Sequence, residues 1–200
     1  MQINIKSNFP EVQRALSQLG KDVRTKALAS AMNKTIAQAQ TQMIREITGA
    51  YRVTSGYVRE RLRIRRASFK DGQFGISAEL AASRKGRRGA NLIAFVEKST
   101  SFTQAKRRRK DGTLGQVFFQ IKKTGGKRVI KGAFIGNKGR TVFIRTSKDR
   151  LPIKALTTID VVEMFNQRTI NARVVGTIKS RFPAIFANEA RFYTERFNRG

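Results

Sequence analysis

The hydrophobic period of this chain changes twice along its length. Ile3 and Ile5 alternate with polar neighbours, which predicts a short leading strand over residues 2–6. From Pro10 the spacing turns helical: Val12, Leu16, Leu19, Val23, Ala27, Ala31, Ile36, Met43 and Ile47 recur mostly three to five apart. The run "ALASAMNKTIAQAQTQMIREI" is rich in Ala and Gln and favours helix, and its small-residue face suits close packing against another helix or a sheet. Gly20 is the expected break and Gly49 the expected stop. A shorter helix is predicted from Thr54 or Ser55, whose hydroxyls cap backbone N–H groups, through Tyr57, Val58 and Leu62.

The period then shortens to two. "RIRRASF" and "GQFGISAEL" flank Lys70-Asp71-Gly72, and Asp-Gly between alternating runs is a strong hairpin signal. "NLIAFVEKS" and "QVFFQIKK" read as strands on either side of a polar loop at Ser99–Gly115. Three more strands are expected at Val129–Ile135, Thr141–Arg145 and Pro152–Leu156, parted first by Gly136, Asn137 and Gly139 and then by Ser147–Arg150. Phe134, Phe143 and Ile153 are expected to build the core of this sheet, and a charge at Leu151 to be as harmful as truncating Phe143.

Beyond Pro152 the pattern returns to helix. Asp160 followed by Glu163 resembles a capping box ahead of Met164-Phe165. A last helix is expected from Ser180 to Phe197, with Pro183 in its first turn and Phe182, Phe186, Tyr193 and Phe197 on one side. The order helix, sheet, helix is an α+β pattern: a long N-terminal helix and a C-terminal helix packed on a mainly antiparallel β-sheet. A length of 200 residues suits one domain. Its N-terminal helices are expected over residues 1–62 and its sheet over 63–156, with basic loops at 83–91 and 99–115. The C-terminal helices are expected over 157–200.

Composition narrows the chemistry. There is no Cys, so no disulfide staples the fold, and the absence fits a reducing cytosol. The start lacks the apolar centre and cleavage site of a signal peptide, and the strongest apolar run, Leu92–Val96, is far short of a bilayer span, so a soluble protein with no membrane partner is expected. With no His and no Cys, the commonest general bases, metal ligands and nucleophiles are missing, and no phosphate-cradling glycine motif occurs. Asp160 and Glu163 read as a helix cap rather than a catalytic pair. The expectation is a protein that is not an enzyme, with no cofactor and no metal.

Charge changes the picture most. Lys and Arg number 42 against 13 Asp and Glu, a net +29. Residues 81–150 alone carry 20 bases and 3 acids. A segment this basic calls for a polyanion, an acidic protein or strong solvation to offset self-repulsion. Two runs stand out: Arg84, Lys85, Arg87 and Arg88, and Lys106, Arg107, Arg108, Arg109 and Lys110. Three readings stay open for them: contact with nucleic-acid phosphates, contact with an acidic protein, or plain solvation. Phe118 and Phe119 are adjacent on a predicted strand and must point to opposite faces, so one is core. With no aromatic signature for reading bases, nucleic-acid contact would be to the backbone and insensitive to sequence.

Three stretches resemble the prophage minor tail protein Z family, the tail completion proteins of long-tailed bacteriophages. "KALASAMNKTIAQAQTQMIREI" with "YRVTSGYVRERLRIRRAS" resembles the family's N-terminal helix, short second helix and entry into the sheet. "IKGAFIGNKGRTVFIRTSKDRLPIKAL" resembles its most distinctive block, and "RFPAIFANEARFYTERF" its closing helix. The likeness runs from about Lys26 to Phe197, and Ser83–Gly115 departs from it by being longer and more basic.

The resemblance implies a structural virion protein at the head-proximal end, or neck, of the tail. It is assembled in the bacterial host cytoplasm and serves tail assembly, head–tail joining and DNA passage. The implied partners are other tail and neck proteins (tail terminator, tail tube or tape measure), further copies in a ring, first of all a hexamer, and viral double-stranded DNA. Arg145, Arg150 and Lys154 are candidate subunit contacts, with the alternative that they keep an exposed strand edge soluble. The rival reading is a free, sequence-independent nucleic-acid-binding protein of the ribosome- or nucleoid-associated type, which the pI near 11.7 would suit.

Overall fold

The computed structural model describes residues 2–5, 10–17, 19–67, 78–83, 90–96 and 117–199. It has the expected α+β character, with a long helix towards each end and antiparallel sheets. The chain divides into two compact units that interleave in sequence. The first is drawn from Met1–Glu46, Arg59–Ser83 and Phe165–Gly200, and the second from Ile47–Val58 and Arg84–Met164.

In the first unit, β1 (Gln2–Ile5) leads to α1 (Pro10–Ser17) and then to α2 (Lys21–Ala50). Gly20 does interrupt the helical run, and its carbonyl accepts the Arg24 N–H at 2.9 Å, which starts α2. The Ala face of α2 is buried: Ala27, Ala31, Ile36, Ala39 and Met43 have no exposed surface. The sheet has β3 (Ala78–Ala82) between β1 and β2 (Leu62–Arg65), both antiparallel to it. Leu80, opposite Ile3 on one side and Ile64 on the other, is fully buried. Asn33 on α2 clasps the chain leaving β2: its Nδ2 donates to the Ala67 carbonyl at 3.1 Å, and its Oδ1 accepts the Ala67 N–H at 2.8 Å. The hairpin expected at Lys70-Asp71-Gly72 lies outside the described residues, although β2 and β3 are antiparallel neighbours.

The last helix departs from expectation. It runs from Arg168 to Asn198, starting twelve residues before Ser180, and is labelled α5 below. Its first half, "RTINARVVGTIKS", is rich in β-branched residues and holds Gly176, so intrinsic propensity hides it. Packing decides instead: Ile170, Val174, Ile178, Phe182 and Phe186 recur every fourth residue and are buried. Pro183 therefore sits mid-helix rather than in a first turn, and costs one backbone hydrogen bond there.

The second unit starts with the end of α2, followed by α3 (Ser55–Arg59), which is capped as expected: Thr54 Oγ1 accepts the Tyr57 N–H at 3.2 Å. Its sheets comprise β4 (Ala90–Asn91) with β10 (Thr157–Thr158), β5 (Phe118–Phe119) with β6 (Arg128–Val129), and the three-stranded β7 (Ala133–Gly136), β8 (Thr141–Arg145) and β9 (Ile153–Ala155). Leu92, Val117, Phe119, Ala133, Ile135 and Val142 form its core.

Two expected strands are shorter than their hydrophobic runs. "NLIAFVEKS" leaves the sheet after Asn91 and coils into a 3-10 turn, Leu92–Phe95. The cause is Asn91, whose Oδ1 accepts both Ile93 N–H and Val142 N–H at 3.0 Å and so diverts the backbone. Val129–Ile135 is broken at Gly132, which adopts φ +76. The capping box is present: Glu163 Oε2 accepts the Asp160 N–H at 2.7 Å, ahead of α4 (Val161–Phe165).

Candidate interaction surface

The two faces of the β7–β8–β9 sheet differ in what covers them. Alternation sends Ala133, Ile135 and Val142 inward, where they join the core. The residues between them form the other face: Phe134 opposite Phe143, Gly136 opposite Thr141, Phe143 opposite Ala155, and Arg145 opposite Ile153. Phe134 and Phe143 are half-buried and stack with ring centroids 5.9 Å apart, while Ile153 is 39% exposed. This corrects the expectation that these three residues build the sheet core. The core falls one residue out of phase, on the smaller aliphatic side chains.

Gly136 explains how the aromatic face lies flat. A Cβ there would stand 3.0 and 3.1 Å from the Phe143 ring, so the missing side chain leaves the ring its seat. The Arg145 guanidinium lies over Phe134, 5.4 Å from the ring centroid. It also donates to the carbonyls of Arg150 at 2.7 Å and Asp149 at 3.3 Å. Thr146 Oγ1 donates to the Pro152 carbonyl at 3.1 Å, closing the loop from inside. The Leu151–Pro152 peptide is cis, and Leu151 is 65% exposed. A charge at Leu151 therefore has no core to disrupt, contrary to expectation.

The candidate subunit residues Arg145, Arg150 and Lys154 are all exposed and belong to this one hairpin. Arg145 shapes the loop by its hydrogen bonds; Lys148 and Arg150 share that loop with exposed Leu151, while Lys154, opposite Ile144, points to the other face of the strand from Ile153. The candidate phosphate-binding residues Arg84, Lys85, Arg87 and Arg88, and Lys106, Arg107, Arg108, Arg109 and Lys110, lie outside the described residues. The described part of the unit is itself basic. Lys122, Lys123, Lys127, Arg128, Lys131, Lys138, Arg140, Arg145, Lys148, Arg150 and Lys154 are all exposed, and Asp149 is the one acid from 122 to 156. Phe119 is buried and Phe118 is 36% exposed, the division that adjacent strand positions require. Among the described residues no group of three or more His, Cys, Asp or Glu is placed to hold a metal ion, and no helix is long and apolar enough to cross a membrane.

In the first unit polar chemistry serves the helix pair. Lys34, Gln38 and Glu46 of α2 meet Glu189, Arg181 and Arg173 of α5 respectively, so the two helices run antiparallel. Glu189 is buried and accepts from the Lys34 ammonium and, at 2.6 Å, from Ser30 Oγ. Burial pushes its carboxyl pKa up, but the hydrogen bonds from Lys34 and Ser30, with the Lys34 charge, outweigh that and hold it below its ordinary value.

The exposed apolar and cationic side chains of the β8–β9 loop lie together in sequence. In comparison with known families, the model of prophage minor tail protein Z matches residues 10–196. The chain belongs to the prophage minor tail protein Z family. As a member it is a structural protein of a phage tail, a component of the virion that interacts with other tail proteins. The family points to a non-enzymatic part. No curated protein and no solved structure matches the chain. Gly136, Leu151 and Asn91 escape a reading by motif. The signal available was phase: in "AFIG" and "TVFIR" either alternate set can face the core, and only the Gly next to an aromatic strand hints at which.

Proposed function

We propose that this minor tail protein Z family member is a tail completion protein at the head-proximal end of the tail. It acts in tail assembly, in head–tail joining and in preparing the tail for DNA passage. The observation that carries the reading beyond the family is the outer face of β7–β8–β9. It sets exposed Leu151 and Ile153 with Lys148 and Arg150 at a loop fastened by Arg145 and Thr146. Apolar anchors beside a net positive charge suit a neighbour with an acidic, partly apolar surface, such as the tail terminator, tube or tape-measure protein. Copies of the chain form a closed ring through heterologous contacts, and the six-fold tail tube makes a hexamer the first expectation.

Electron microscopy of virions carrying a tagged copy tests the position. Label at the neck is expected, and label along the tube or at the distal tip overturns the reading. Leu151→Asp tests the face. The variant is expected to melt within about 0.5 kcal/mol of the parent, because its side chain is exposed, while failing to enter tails. Normal incorporation of Leu151→Asp would remove this face from the interface. Normal infectious particles made without the chain would instead favour the free nucleic-acid-binding reading.

A further inference from the structure

A second basic feature of the same unit differs in chemistry from the sheet face. Between β5 and β6 the chain reads "QIKKTGGKR", Gln120 to Arg128, where after Ile121 no side chain is apolar. Lys122, Lys123, Lys127 and Arg128 are all exposed. Cations this close repel one another, and an unconstrained Gly-Gly segment would let them spread apart.

The turn is nevertheless fastened at many points. The Gly125 N–H donates to the Lys122 carbonyl at 3.0 Å, closing a tight turn. Gln120 holds it from beneath: its Nε2 donates to the carbonyls of Gly125 at 2.6 Å and Lys123 at 3.1 Å. Its Oε1 accepts from Arg52 at 2.6 Å, which draws a fifth cation to the turn. The backbone is tied as well, with Lys123 N–H to the Ala50 carbonyl at 3.0 Å and Arg52 N–H to the Ile121 carbonyl at 2.9 Å.

We propose that this turn is a preformed grip on the phosphate backbone of duplex DNA. Fixed cations without an apolar anchor suit a phosphodiester, which offers charge and no apolar surface to bury. A protein partner would call for the mixture seen on the β7–β8–β9 face. The one planar amide of the turn, Gln120, is already engaged by Arg52 and by the Lys123 and Gly125 carbonyls, so the contacts expected are to phosphates and insensitive to sequence. The inference rests on the tail reading only for the source of the duplex, so binding is measured on purified full-length protein, independently of where the protein sits in the virion.

The probe is a random-sequence DNA duplex, with affinity followed as salt rises. Replacing Lys122, Lys123, Lys127 and Arg128 together with Gln is expected to make the slope of log affinity against log salt shallower by about 2–4, at about 0.9 per phosphate neutralised. Replacing Lys148, Arg150 and Lys154 with Gln is the control for charge alone, and is expected to change the slope by less than about 1. Gln120→Ala keeps every charge and frees the turn; several-fold weaker binding with an unchanged melting temperature is expected. Equal flattening by the two charge variants would show diffuse attraction and overturn the proposal, as would unchanged binding by Gln120→Ala. A Lys122, Lys123, Lys127 and Arg128 variant that keeps its DNA slope yet fails to enter tails would overturn it in favour of an acidic protein partner.

Discussion

In the first unit, Glu189 and Glu46 sit between two helices and take up Lys34 and Arg173. In the second, eleven exposed Lys and Arg lie between Lys122 and Lys154 with Asp149 as the one acid among them. The same excess of positive charge thus does different things within one chain. Where an acid is buried against a cation, charge sets the register of α2 on α5 and belongs to the fold. Where acids are scarce, the cations repel one another and lie exposed on the surface. Hydrogen bonds then act on backbone carbonyls, as those of Arg145 and Gln120 do, and shape surface loops rather than neutralise charge.

Three measurements test that contrast, beginning with the largest effect. Phe182→Ala in the first unit removes a fully buried ring that packs near Phe186, and is expected to cost about 3–5 kcal/mol in urea melts. Phe143→Ala in the second, at a half-buried position, is expected to cost about 1–2 kcal/mol. Equal losses would mean that the outer sheet face is as much core as the helix pair.

Glu189→Gln comes next, at about 1–3 kcal/mol near neutral pH, because it takes the charge from a buried carboxyl that accepts from Lys34 and Ser30. The pH dependence has a definite sign. The folded carboxyl titrates below its ordinary 4.5, so its contribution is full above that value and drains away as pH falls through the folded-state pKa. The gap between parent and Glu189→Gln should therefore narrow as pH drops below 4.5. A gap that widened there would show that the pair does not stabilise the fold.

The smallest effect is at Gly136. Adding a methyl 3.0 Å from the Phe143 ring is expected to cost about 1–2 kcal/mol. Gly136→Ala made in the Phe143→Ala background should cost almost nothing further, since the clash is then gone. Full additivity of the two would mean that the ring is not seated on the glycine.

Much of the fold was legible because it depends on local chemistry. The Thr54 cap and the Asp160–Glu163 capping box stand where side chains act on nearby backbone, the Gly20 break where a residue lacks a side chain, and the strand Thr141–Arg145 where hydrophobic residues run between turn residues. The cationic character of the second unit was legible too, since charge is a property of composition. The turn that holds Lys122–Arg128 was not, because Gln120 carries no signal of its own until Arg52 is brought beside it.

Sequence by itself determined the α+β class, a helix towards each end and the concentration of positive charge in the middle of the chain. Each follows from periodicity or from a charge count, and none depends on long-range contacts. Tertiary structure alone decided which alternate face of β7–β8–β9 is covered, and that Asn91 ends a strand by reaching Val142. It also decided that α5 begins at Arg168, where packing of Ile170, Val174 and Ile178 overrides weak helix propensity. Those outcomes turn on burial between residues far apart in the chain, a free energy that no local window contains.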